Sequence, residues 1–146
     1  MESYSSDTIK KKLETLTIWR GNIDINVLTG GWTNDTYLVT DDKKKYVAKI
    51  GNDKIHFGVI RAQEIAAHEA AYQTGISPEV IYFKNEISIY EYLDYNILTP
   101  QELREEKNLS KLVDLIKIIH NKVFKNLKNY MNKLELLELK KACSAI

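Results

Sequence analysis

Between residues 28 and 37 the chain reads Leu28-Thr29-Gly30-Gly31-Trp32-Thr33-Asn34-Asp35-Thr36-Tyr37. Adjacent glycines carry no Cβ, so the backbone there can approach a ligand and turn its N–H groups toward phosphate oxygens. Thr33 and Asn34 add side-chain donors beside them. The spacing is not that of a P-loop, and a lone Gly-Gly also serves as an ordinary hairpin turn. A second feature follows in Tyr46-Val47-Ala48-Lys49-Ile50. A lysine inside an otherwise apolar strand belongs at a rim or beside a counter-charge. Glu64 and Glu69, in the next helical stretch, are the two carboxylates placed to supply one, and spacing does not choose between them. A cation held in this way can be set against the α- and β-phosphates of a nucleotide, as the strand lysine of protein kinases is.

The elements that must position these groups can be read from periodicity. Asp7 has the character of a helix N-cap, with Ile9, Leu13 and Leu16 on one face, until Gly21-Asn22 breaks the helix. Ile23, Ile25 and Val27 alternate as a half-buried strand does. Thr36 to Thr40 and Tyr46 to Ile50 are two more strands, joined by the polar turn 41–44, so the three form an antiparallel meander. Helical spacing runs from about Val59 to Thr74, with Ile65, Ala66, Ala70 and Tyr72 as packing residues and Gly75 in the C′ position. Glu79 to Phe83 and Ile87 to Leu93 form a strand pair turning at Asn85. Thr99-Pro100-Gln101-Glu102 is a helix start, with a hydroxyl cap, proline at the first position and a carboxylate three residues on. Leu109, Leu112, Val113, Ile116 and Ile119 line one face of the next helix, and 121–146 stays helical in pattern. This order predicts an α+β fold: a five-stranded antiparallel sheet with one main packed helix, followed by C-terminal helices.

The chain has 146 residues, enough for a core without disulfides. Its net charge of +1 favours neither nucleic acid nor an anionic membrane. One cysteine, Cys143, excludes an internal disulfide framework, and a reducing, cytoplasmic setting is expected. No apolar run is long enough to span a bilayer, and 1–7 lacks the apolar stretch of a signal peptide. His68-Glu69 lacks a second histidine at ligand spacing, so it reads as a helix surface pair.

Taken in order, the motifs resemble those of the choline/ethanolamine kinases and aminoglycoside phosphotransferases, a protein kinase-like superfamily. Gly30-Gly31-Trp32-Thr33-Asn34 resembles their GGxTN loop. Tyr46-Val47-Ala48-Lys49-Ile50-Gly51 is similar to their third strand, whose basic residue is often arginine. Arg61-Ala62-Gln63-Glu64 is similar to their Arg-x-x-Glu helix start, and Gly75-Ile76-Ser77-Pro78 to a Gly-Ile-x-Pro step into the fourth strand. Ile89-Tyr90-Glu91-Tyr92-Leu93 sits where the family's interlobe hinge binds adenine, and Ile118-Ile119-His120 resembles a helix closing on Leu-His. The resemblance runs from about residue 10 to residue 120.

It implies a nucleotide-binding lobe over 1–93 and the helical start of a second lobe over 94–146. Gly30, Gly31, Thr33 and Asn34 would cover the phosphates of ATP, Lys49 would contact them, and Glu64, preferred by the family over Glu69, would orient Lys49. Glu91, Tyr92 and Leu93 would line the adenine slot, with Tyr90 equally suited to strand packing. The family takes its catalytic base and its Mg²⁺ ligands from a His-x-Asp-x-x-x-x-Asn loop and a later acidic motif. None of the three histidines, His56, His68 and His120, opens that loop, and no aspartate follows Asp114. The expectation is a truncated kinase lobe that binds ATP and catalyses nothing alone. A choline-like substrate, with thiamine or an aminoglycoside as alternatives, would require a C-terminal lobe. That lobe could be separately encoded, or the C-terminal helices could mediate self-association. A non-catalytic binding module and a degenerate remnant, exposing Leu134, Leu136, Leu137 and Leu139, are the other readings.

Overall fold

The computed structural model describes residues 6–28, 35–42 and 44–129. The chain divides into two compact units, Met1–Asp53 with Val80–Tyr92 and Lys54–Glu79 with Leu93–Ile146.

In the first unit, helix α1 (Ser6–Glu14) precedes strands β1 (Asp24–Leu28), β2 (Asp35–Thr40) and β3 (Lys45–Ile50). The helix takes in Ser6, so Asp7 lies inside its first turn rather than ahead of it. Strands β4 (Val80–Lys84) and β5 (Ile87–Glu91) complete one antiparallel sheet of order β1-β2-β3-β5-β4. The first three strands are the expected meander. The later hairpin adds through β5, so that β3 and β5 are central neighbours. Asn85 makes the β4–β5 turn with φ 52°, a left-handed conformation that asparagine tolerates better than most residues.

Strand alternation sorts the side chains. Tyr37, Val39, Tyr46, Ala48, Ile50, Ile87 and Ile89 point to one face, where Ile9 and Leu13 of α1 meet them in a single buried cluster. Each fully buried aliphatic here contributes about 1.5–3 kcal/mol. Ile23 and Ile25 pack against this cluster. Val27 does not: it is 67% exposed, on the edge strand and outside the cluster. Two polar contacts fasten the layers. Asp41 is buried and accepts hydrogen bonds from the Arg20 N–H, the Lys44 N–H and the Tyr46 hydroxyl. Burial, and then the adjacent Asp41 charge, push the Tyr46 phenol above its ordinary range. Trp19 donates its indole N–H to the Leu13 carbonyl at 2.6 Å and meets the Tyr46 ring edge-on.

Lys12 of α1 reaches Glu86 beside β5 at 2.5 Å. The hydrogen bond from Lys12 is the largest cause holding the Glu86 carboxyl below its ordinary range. A carboxylate whose folded pKa is depressed stabilises the fold above its unfolded pKa, roughly 4.3. That stability is lost as pH falls through the lower, folded value. Glu86→Gln is therefore expected to cost about 0.5–1 kcal/mol at neutral pH. The difference from wild type should vanish in strong acid, which urea titrations at both pH values would check.

The second unit holds a 3₁₀ turn (Ile55–Phe57), α2 (Arg61–Tyr72), α3 (Pro100–Leu103), α4 (Glu106–Ile118) and a π turn (Ile119–Val123) continuing helically over 124–129. Arg61, Ile65, Ala66 and Ala70 are the buried stripe of α2, while Tyr72, in its last turn, is exposed. Gly75 closes the helix as its position suggests. Its N–H donates to the Tyr72 carbonyl at 2.8 Å and the Ile76 N–H to the Ala71 carbonyl at 3.3 Å. These are the two bonds of a Schellman closure. Gly75 has φ 77°, and an added Cβ would meet nothing within 4 Å. Gly75→Ala should thus cost only the left-handed backbone penalty, about 1 kcal/mol, and Gly75→Asn less. Thermal melts of the two variants would check that order.

Thr99 forms the full capping box with Glu102, with Pro100 at the first position. The α4 residues Leu109, Leu112, Val113 and Ile116 share a face as their spacing requires, but all four are exposed. The spacing correctly marks an apolar stripe; it says nothing of what covers it.

Candidate functional site

Lys49 is the half-buried basic residue of β3, and the register defines its surroundings within the first unit. It stands opposite Thr36 of β2 and opposite Ser88 of β5. Because successive side chains alternate, Lys45, Val47 and Lys49 share the face away from the α1 core. Ser88 and Tyr90, both buried, share that face on β5. The Lys49 ammonium lies 5.1 Å from the centre of the Tyr90 ring. At that distance the ring's negative face attracts the cation. Four residues earlier, Lys45 stands 5.5 Å from the Tyr92 ring, and the Tyr92 N–H donates to the Lys45 carbonyl at 3.3 Å.

Thus β3 presents two lysines against two tyrosines, Tyr90 of β5 and Tyr92 just past its end, with Lys49 at the end where β1 and β2 run into the glycine-rich connection. Gly30, Gly31, Thr33 and Asn34 lie outside the described residues. What is described is their anchorage: Leu28 and Thr36 are register partners at the loop end of the β1–β2 hairpin. Thr36 is in turn the register partner of Lys49, so the connection springs from the same end of the sheet.

The remaining candidates are distributed as follows. Glu91 ends β5 and is exposed, and Tyr92 is half-buried one residue on. Leu93 opens the second stretch of the other unit. Glu64 lies in the first turn of α2, in that unit, and accepts an ion pair from Arg61 at 2.6 Å. Arg61 is itself buried, its side chain 7% exposed, so the pair fixes the Glu64 carboxylate on the helix. Glu69 is half-buried about one and a half turns along. His68, next to it, bonds Ser77 through Nδ1 at 3.0 Å.

Sequence reasoning missed the Arg61–Glu64 pair and the Lys49–Tyr90 stacking. The first was legible in principle, since residues three apart on a helix meet. The second needed the β3–β5 register, which no local pattern supplies.

Among the described residues no three His, Cys, Asp or Glu side chains converge on a point where a metal ion could be held. Also among them, no helix is long and apolar enough to cross a membrane.

No family model matches the sequence, and no curated protein matches it either. Among solved structures, the ethanolamine kinase of Plasmodium vivax superposes with a TM-score of 0.58 at 19% identity. The match covers 75% of this chain and 31% of that one, so this chain spans less than a third of the kinase's length. At that identity the likeness is one of architecture: the chain has a kinase-like α+β fold, its five-stranded antiparallel sheet and helices matching the N-terminal lobe of an ethanolamine-kinase-like structure.

Proposed function

We propose that the chain is the nucleotide-binding lobe of an ATP-dependent small-molecule kinase of the choline/ethanolamine kinase type. The observation that carries the reading is Lys49. It is a half-buried lysine in a central strand, stacked on Tyr90, at the sheet end from which the Gly30–Asn34 segment departs. The fold likeness to an ethanolamine kinase supports the same assignment.

In this reading Lys49 sets its charge against the α- and β-phosphates of ATP, where a low local dielectric strengthens the contact. The tyrosine ring holds the ammonium in place without neutralising it. By the resemblance, Gly30, Gly31, Thr33 and Asn34 would cover the phosphates. Glu91, Tyr92 and Leu93 take the adenine. Phosphoryl transfer to a substrate hydroxyl needs a base and Mg²⁺ ligands. The sequence holds no His-x-Asp-x-x-x-x-Asn loop to provide them. No chemical step is assigned to this chain, and it acts by binding nucleotide. Choline or ethanolamine is the substrate class such a lobe would serve when joined to a catalytic lobe.

Calorimetric titration of the 146-residue chain with ATP tests the reading. Lys49→Ala is expected to weaken binding at least tenfold, about 1.4 kcal/mol, while Lys49→Arg retains most of it. Equal affinity in wild type and Lys49→Ala would remove the assignment. Transfer of labelled phosphate to choline by the purified chain alone would overturn the non-catalytic part.

A further inference from the structure

Among the described residues, helix α4 carries an apolar face that is left exposed. Leu109, Leu112, Val113, Leu115 and Ile116 are between 37% and 49% exposed. An isolated helix of this length is marginal in water, and packing of its apolar face normally supplies its stability. A contiguous apolar stripe of this kind marks an interaction surface.

The charges beside the stripe indicate what fits it. Glu106 is in the first turn of α4 and Lys117 in the last. Eleven residues at 3.6 per turn place them on the same flank, about three turns apart. A second, antiparallel copy related by a two-fold axis near Leu112 brings each Glu106 to the Lys117 of the other copy. The same operation lays the two apolar stripes against each other. The face is thus self-complementary in both shape of pattern and sign of charge, the condition for an isologous dimer. Lys117 pairs with Asp114 at 3.2 Å within its own helix. Both side chains are about two-thirds exposed, and an exposed pair of this sort is easily exchanged.

We infer that the chain forms a two-fold dimer through antiparallel pairing of its α4 helices. The inference is independent of nucleotide binding and rests on the second unit alone.

Sedimentation equilibrium of the full 146-residue chain across the micromolar range tests it. The expected mass is that of two chains, and Leu112→Asp should weaken association by about tenfold or more. Glu106→Lys and Lys117→Glu should each weaken it, and the double exchange should restore it. A monomer at every concentration overturns the dimer. A monomer whose melting temperature falls on Leu112→Asp shows instead that the chain covers its own stripe. A dimer indifferent to Leu112→Asp uses another surface. A dimer lost in the single charge variants and not recovered in the double overturns the antiparallel arrangement. Far-ultraviolet circular dichroism of each variant separates dissociation from unfolding.

Discussion

Ile89→Ala is expected to destabilise the first unit by about 2–5 kcal/mol. Ile89 is wholly buried in β5, with Ala48 of β3 and Tyr82 of β4 as its register partners. The helix residues Ile9 and Leu13 belong to the same cluster. Removal of three carbon atoms there forfeits their transfer free energy and leaves a cavity. A backbone hydrogen-bonded to a strand on each side cannot close over that cavity. A domain of ordinary stability has only about 5–15 kcal/mol to lose. Urea denaturation should show the midpoint falling with the slope unchanged, and Ile89→Val should lose about 1 kcal/mol. A loss under 1 kcal/mol for the alanine variant would show that the sheet and α1 do not share this core.

Asp41→Ala is the second large effect, expected at about 3 kcal/mol. The carboxylate is buried, and its Oδ2 accepts from the Arg20 N–H at 3.3 Å and the Tyr46 hydroxyl at 3.4 Å, while Oδ1 accepts from the Lys44 N–H at 3.0 Å. Alanine removes all these acceptors at once, and each buried donor left without one costs about 1–3 kcal/mol, less whatever water can reach. Asp41→Asn keeps one acceptor oxygen and the volume, so its loss should be smaller. Trp19 fluorescence follows the unfolding directly, because the indole lies 5.3 Å from the Tyr46 ring. If the alanine variant unfolds within 1 kcal/mol of wild type, the Asp41 contacts are not what joins the α1 exit to the β2–β3 turn.

These two residues also show where sequence reading succeeds and stops. Ile89 was visible as a strand residue because the run that follows the Asn85 turn is read locally. The Gly75 closure and the Thr99–Glu102 box were visible for the same reason, each being complete within a few residues. Asp41 looked like one of several polar turn residues. Its Arg20 partner lies 21 positions away, and Glu86 is 74 positions from Lys12. Nothing short-range predicts either. Lys49 stood out as a charged residue in an apolar strand, yet its Tyr90 neighbour followed only from the order in which the sheet assembles. The stripe of α4 was equally plain in the sequence, but an apolar pattern specifies that something must cover it and leaves the partner open.

The sheet order β1-β2-β3-β5-β4 has a consequence for biogenesis. On the ribosome, the β1–β3 meander is made first, and the pairing edge of β3 (Lys45–Ile50) has no neighbour until Glu91 has left the exit tunnel. For the whole time that residues 51–86 are being polymerised, the nascent chain carries an open β-edge, the kind of surface that nucleates aggregation. Lys45 and Lys49 flank Val47 along that edge, where charge discourages a second nascent chain from adding a strand. The lysine proposed for phosphate binding thus also sets charge beside that edge before the sheet is complete.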